Sequence, residues 1–228
     1  MKTLKIGSRG EDVKTLQRKL GLPADGIFGK NTDAAVRYYQ RTHGLTSDGI
    51  VGNHTWEYLG FPTSSRYIDE IIIHCTATKE GRDYSSDSIN LAHKVRKFSS
   101  YVDKKGRIRY IGYHYIIHPD GTIEECRSES KIGCHASGHN TRSIGISYVG
   151  GLDARDTNGT MCKDTRTPQQ KASLIKLIKQ LKAEYPTIKR VIGHRDTSPD
   201  LNGNGIIDPY EFIKGCPCFD AIPEYKNL

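Results

Sequence analysis

Apolar residues recur along this chain with two different periods, and the change of period divides it. Near the N-terminus Val13, Leu16 and Leu20 stand at i, i+3 and i+7 of Asp12–Leu20, a single helical stripe. Ala35, Val36, Tyr39 and Gln40 recur at close to helical spacing within Thr32–Thr42. The frame G-L-x-x-D-G-I-x-G-x-x-T is written twice, as Gly21–Thr32 and again 23 residues on as Gly44–Thr55. Its glycines, Gly26, Gly29, Gly49 and Gly52, allow tight turns, and Thr32 and Thr55 stand where a helix should begin. Three short helices packed on one another over residues 1–60 follow from this pattern. Residues 61–66, FPTSSR, are short, polar and Pro-bearing, and read as a linker.

From residue 67 the pattern alternates strand-like with helix-like stretches. Ile68–His74 is a continuous apolar run, as in a strand buried on both faces. Ser86–Phe98 follows as a helix capped by Ser86 or Asp87. Tyr110–His118 and Thr122–Cys126 flank Pro119-Asp120-Gly121 and predict a hairpin, and Ser143–Val149 predicts another strand. Thr167-Pro168 opens a long helix with Leu174, Leu177, Ile178 and Leu181 on one face. Pro186 ends it near Glu184, and Ile188–Ile192 is the last core strand. The expected fold of residues 67–228 is therefore α/β, a mixed central β-sheet flanked by helices, preceded by the small three-helix domain.

Composition narrows the functional classes. At 228 residues with 36% apolar content, the chain can bury one sizeable core and a small module. No apolar run reaches the length of a membrane span, so membrane insertion is not expected. The start, MKTLKIGSRGEDV, has no apolar segment after its basic residues and does not read as a signal peptide. A net charge of +8 is diffuse, without a basic cluster interleaved with aromatics, so nucleic acid is not an expected partner. Such a field suits an anionic bacterial wall. The six cysteines have no regular spacing, so reduced thiols are the default, with Cys126–Cys134 the one pair considered for a small loop.

Four separated segments carry candidate chemistry: IIIHCTAT at Ile71–Thr78, IGYHYII at Ile111–Ile117, VIGHRD at Val191–Asp196 and KGCPCFD at Lys214–Asp220. His74 and His194 each end an apolar run, where sheet ends gather functional side chains, and a late cysteine makes a third ligand. Three N/S ligands with an open fourth position are what a hydrolytic zinc needs. Cys216 and Cys218 compete for the third place. Cys75 alternates away from His74, and no Cys nucleophile is expected.

These segments, with GYHYIIHPDGTIEE at Gly112–Glu125 and GCHASGHNTRSIGISYVGG at Gly133–Gly151, resemble the zinc-dependent N-acetylmuramoyl-L-alanine amidases of the phage T7 lysozyme and peptidoglycan-recognition-protein type. The resemblance runs from about Tyr67 to Phe219. It implies cleavage of the amide between muramic acid and the first L-alanine of the stem peptide, with His74, His194 and Cys216 on zinc. Cys216 is chosen over Cys218 because the family's ligand stands directly before proline and two residues after a lysine. Tyr113 would face the metal and Lys214 would stabilise the oxyanion. His114 would be structural, and His135 would line the substrate groove. Residues 1–60, with L-Q-R-x-L-G-L, D-G-x-F-G and A-V-x-x-Y-Q in place, resemble a three-helix peptidoglycan-binding domain.

Asp200–Glu211 reads D-L-N-G-N-G-I-I-D-P-Y-E. Asp200, Asn202, Asn204 and Asp208 fall at positions 1, 3, 5 and 9, with Ile206 at 7 and Glu211 at 12, the calcium-loop pattern of an EF-hand. The helix that should precede such a loop is missing. Calcium is therefore a second expected cofactor. The whole reads as a monomeric, endolysin-like wall hydrolase held in the host cytoplasm until release. A non-catalytic recognition module and an interbacterial amidase toxin are the alternatives.

Overall fold

The computed structural model describes residues 3–61 and 66–228, and these fall into two compact units with the boundary between Ser65 and Arg66. Most of the linker expected over 61–66 lies outside the described residues. Arg66, its last expected residue, belongs instead to the second unit, where its guanidinium donates to the carbonyls of Glu129, Asn140, Thr141 and Ser143.

The first unit holds α1 (Glu11–Lys19), α2 (Lys30–Thr42) and α3 (Asn53–Tyr58). Leu4, Val13, Leu16, Phe28, Val36, Val51, Trp56 and Leu59 form its core, each fully buried apolar side chain contributing roughly 1.5–3 kcal/mol. The duplicated frame is a duplicated hydrogen-bond clasp. Gln17 donates from Nε2 to Asp25 Oδ1, the Ile27 carbonyl and Thr32 Oγ1, and accepts from the Gly26 amide. Gln40 repeats this with Asp48, Ile50, Thr55 and Gly49. The two threonines therefore do not cap helices, as the sequence suggested. Gly29 and Gly52 occupy the caps, and the Thr hydroxyls lie one turn in, committed to the clasp.

The second unit opens with β1 (Glu70–Cys75), β2 (Thr78–Lys79) and α4 (Ser86–Val95), followed by the short pair β3 (Tyr101–Val102) and β4 (Ile108–Arg109). It continues through β5 (Tyr115–Ile117), β6 (Ile123–Glu125), β7 (Ser143–Tyr148), β8 (Gly151–Leu152), α5 (Pro168–Glu184), β9 (Arg190–Gly193) and α6 (Ala221–Tyr225). The main sheet has the order β6-β5-β7-β1-β9. β1 runs parallel to both β7 and β9, and β6 is antiparallel to β5, so the sheet is mixed. Every residue of β1 is buried, as its unbroken apolar run requires of a central strand.

Two local expectations shift. Ser85, not Ser86 or Asp87, caps α4, its hydroxyl accepting from the Ser88 amide. Tyr110–His118 is strand only over Tyr115–Ile117, because the Gly112 amide turns aside to His93 Nδ1. The cap of α5 is as read: Thr167 and Gln170 form a reciprocal capping box with Pro168 in the first turn. One sheet face packs Ile71, Ile73, Ile144 and Ile146 against Leu174, Leu177, Ile178 and Leu181 of α5. Alternation along β1 sends Ile72 to the other face, against Ala136 and Ile192, and His74 with it. Among the described residues no helix is long and apolar enough to cross a membrane.

Candidate metal centre

His74 lies at the C-terminal end of β1, fully buried, on the face away from α5. The neighbouring strand delivers the second imidazole. β9 stops at Gly193, and the chain turns into a short 3-10 segment, His194–Thr197, closed by the Gly193 amide donating to Asp196 Oδ2 at 2.7 Å. The third piece comes from the far C-terminal segment and is stitched to both strands. Arg195 N–H donates to the Cys216 carbonyl at 2.7 Å, and Cys75 N–H donates to Cys216 Sγ at 3.2 Å. A glycine is required at 193 because a Cβ there would lie 2.5 Å from Pro217.

The three side chains converge. Their ligand atoms lie within 4.8 Å of one another, with Cys216 Sγ 3.9 Å from His74 Nδ1 and the His74 and His194 rings 4.6 Å apart between centroids. Burial, then the charges of the neighbouring imidazoles and Lys214, holds His74 well below the ordinary histidine value. Burial and Lys214 bring His194 down to about 4. Both rings are therefore neutral at pH 7, the form that binds a metal. The side chain of Cys75, then burial, pushes the Cys216 thiol up, while the Cys75 amide and the Lys214 cation act in the opposite sense. Two neutral imidazoles and a buried thiol within a few ångströms of one another are a donor set that suits Zn2+.

Tyr113 faces this cluster, its ring centroid 5.1 Å from that of His74. Burial raises its hydroxyl further above neutrality, so it stays protonated. His93 packs edge-on against it. Lys214 is exposed, two residues before Cys216. His114 points the other way, its Nδ1 accepting from the Gly145 amide at 3.0 Å, a structural place of the kind the family resemblance implied. His135 differs from its expected position. It is only 7% exposed and lies behind His74, Nδ1 at 3.0 Å from His74 Nε2, so the ring does not face an open groove.

The cysteines also differ from expectation. Cys162 and Cys218 form a disulfide, and Cys126 and Cys134 are free, so the default of reduced thiols fails at one pair. Cys218 is thereby removed from the competition with Cys216. The pair is separated by 56 residues and carries no local spacing signal, so only the fold could reveal it.

The Asp200–Glu211 segment closes on itself. Asp200 accepts from the Gly203 and Gly205 amides, and Asn202 and Asn204 donate to Asp208 Oδ2 at 3.0 Å each. Buried Glu211 accepts from Leu201 and Asp208 at 2.7 Å each. The residues at positions 3, 5, 9 and 12 are thus linked to one another, while Asp200 at position 1 holds the backbone of positions 4 and 6.

The family profile described as N-acetylmuramoyl-L-alanine amidase matches residues 64–210, and that of a peptidoglycan binding domain matches residues 9–59. An uncharacterized protein of Haemophilus influenzae is 46% identical over 102 residues, 45% of this chain and 84% of that protein. The endolysin of Escherichia phage T7 is 34% identical over 156 residues, 67% of this chain and 82% of the phage protein. A solved N-acetylmuramoyl-L-alanine amidase from Clostridium intestinale aligns over 70% of this chain and 82% of its own with 28% identity and a TM-score of 0.48.

Proposed function

This chain belongs to the N-acetylmuramoyl-L-alanine amidase family, and from that premise we propose that His74, His194 and Cys216 hold a zinc ion with which it cleaves peptidoglycan. The activity is that of an endolysin-type peptidoglycan amidase. The observation that carries the site assignment is the meeting of three ligand atoms from three separate segments within 4.8 Å.

A zinc held there supplies Lewis acidity toward the scissile carbonyl and toward the attacking water. The chain's own groups do the rest. Tyr113, protonated and buried beside His74, orients the water by hydrogen bonding. Lys214, an exposed cation two residues before Cys216, meets the negative charge that develops on the carbonyl oxygen, where a positioned donor is worth most. The Cys75 amide supports Cys216 Sγ as a thiolate. The first unit attaches the enzyme to the insoluble wall, so that local substrate concentration is raised without any of its residues entering the chemistry.

Mass spectrometry of purified peptidoglycan after digestion tests this reading. Release of stem peptides with a free L-alanine N-terminus, leaving glycan strands intact, is the expected outcome. New reducing sugar ends or cuts within the stem peptide would reject it.

Calcium in the Asp200–Glu211 loop is a second part of the proposal, supported by the complete oxygen-ligand spacing and the closed loop. Calcium should raise the melting temperature of the zinc-loaded chain, by an amount set by its concentration over the dissociation constant. Asp200→Ala or Glu211→Ala should abolish that response. A melting temperature indifferent to millimolar calcium would leave the segment as an Asn/Gly-rich turn.

A further inference from the structure

His74 has two ring nitrogens, and only one can face Cys216 and His194. Nδ1 does so, while Nε2 points back into the protein at His135 Nδ1, 3.0 Å away. Both rings are buried and nearly perpendicular, at 84°. The other nitrogen of His135, Nε2, lies 3.4 Å from Ser143 Oγ. Ser143, itself fully buried, donates to the His139 carbonyl at 2.8 Å.

The end of this chain fixes the direction of every bond in it. A backbone carbonyl can only accept, so the Ser143 hydroxyl proton is committed to His139. Ser143 Oγ is then free to accept, and the one proton of neutral His135 sits on Nε2 to meet it. His135 Nδ1 is left with a lone pair, which accepts from His74 Nε2–H. Neutral His74 therefore carries its lone pair on Nδ1, toward Cys216.

The fold also builds a slot for this ring. A Cβ at Gly133 would lie 2.4 Å from the His135 imidazole, and one at Gly145 would lie 2.6 Å from it. The His135 and Ala136 amides both donate to Asn140 Oδ1, at 2.8 and 3.0 Å, which fixes the backbone below the ring. Two glycines and an asparagine thus hold His135 where it can only be a neighbour of His74.

We propose that His135 is a positioning residue that keeps the proton of His74 on Nε2, so that Nδ1 is presented as the metal donor. The proposal rests on the zinc reading above for its purpose, but the position of the proton can be measured without metal. Outer-sphere partners of this kind change metal affinity by about 10–100-fold when removed.

The test uses the full metal-free chain labelled with 15N-histidine, with His74 assigned by comparison with His74→Gln. Long-range 1H–15N correlations should show His74 with its proton on Nε2. In His135→Leu, which keeps bulk in the slot but offers no acceptor, His74 should show both tautomers, and zinc affinity measured by chelator competition should fall about 10–100-fold. His135→Asn places an amide oxygen near the position of Nδ1 and should restore both the single tautomer and most of the affinity. A wild-type His74 protonated on Nδ1 would overturn the proposal, as would a folded His135→Leu chain with unchanged tautomer and unchanged zinc affinity. If the wild-type chain binds no zinc, the metal reading fails, and the tautomer of His74 alone then decides this proposal.

Discussion

The two units of this protein solve the same problem, ordering polar groups inside a small core, in opposite ways. In the first, Gln17 and Gln40 each bind partners no more than 15 residues away, and the second clasp copies the first. In the second, His74 meets Cys216 across a separation of 142 residues, and the segments between them contribute His135 and Tyr113. The local clasp satisfies all of its own polar atoms. The candidate metal cluster instead turns His74 Nδ1 toward the Cys216 thiol, 3.9 Å away, beside the His194 ring. A clasp of short hydrogen bonds stabilises by itself, whereas donor atoms gathered at that distance gain most from an ion that binds them.

The largest effect should come from the candidate metal cluster. Cys216→Ser is expected to lose stoichiometric zinc, measured by elemental analysis, and to lose amide cleavage by more than the roughly hundredfold typical of an outer-sphere change. Cys218→Ser should keep its zinc, because the Cys218 sulfur is committed to Cys162. It opens the Cys162–Cys218 disulfide, so it should instead lower the stability of the second unit by about 2–4 kcal/mol. A zinc-free Cys218→Ser protein alongside a zinc-loaded Cys216→Ser protein would reverse the ligand assignment.

The satisfied clasp should respond differently. Gln17→Ala leaves the Gly26 amide and Thr32 hydroxyl without their buried partner, at a cost of about 1–3 kcal/mol. Calorimetry should show that loss in the first unit's transition, with attachment to insoluble peptidoglycan weakened. Cleavage of a soluble muramyl-peptide should stay near wild type. Equal loss of both activities in a folded Gln17→Ala chain would mean that the first unit completes the active site, and the contrast drawn between the two units would break.

Acid should separate the units more gently. Burial is the main cause that brings His93 down to about 4 and His114 down to about 3. In the unfolded chain both titrate near 6.5. Between those values the unfolded state binds more protons, so stability rises with pH and is lost as pH falls from about 6.5 toward 4. The metal-free second unit should therefore melt at lower temperature at pH 5 than at pH 7. The first unit holds no buried imidazole among its described side chains and should move less. A second unit whose melting temperature is flat across that range would show that these rings are not held neutral.

Much of this molecule was legible in the sequence because it depends on short-range periodicity. The unbroken run at Ile71–Ile73 marks a strand buried on both faces. The Thr167–Pro168 start marks α5, and the 23-residue repeat marks a unit built twice. Alternation alone separates Tyr113 from His114, and the mixed α/β architecture follows from the order of these elements. His74 and His194 could be put forward as candidate metal donors from their residue type and their place at the ends of apolar runs, whereas the choice of Cys216 over Cys218 came from the family resemblance.

What the sequence could not determine depends on distances through space. Cys162 looks like any isolated cysteine until β8 and the C-terminal segment bring it to Cys218. His135, matched through the family resemblance to a groove residue, is seen to sit between Gly133 and Gly145 only in the folded chain. Thr32 and Thr55 read as caps until Gln17 and Gln40 claim their hydroxyls. In each case the local pattern admits two roles, and the choice falls to a partner far along the chain or across the fold. A buried polar group must find its hydrogen bond somewhere, and only the packed structure decides with whom.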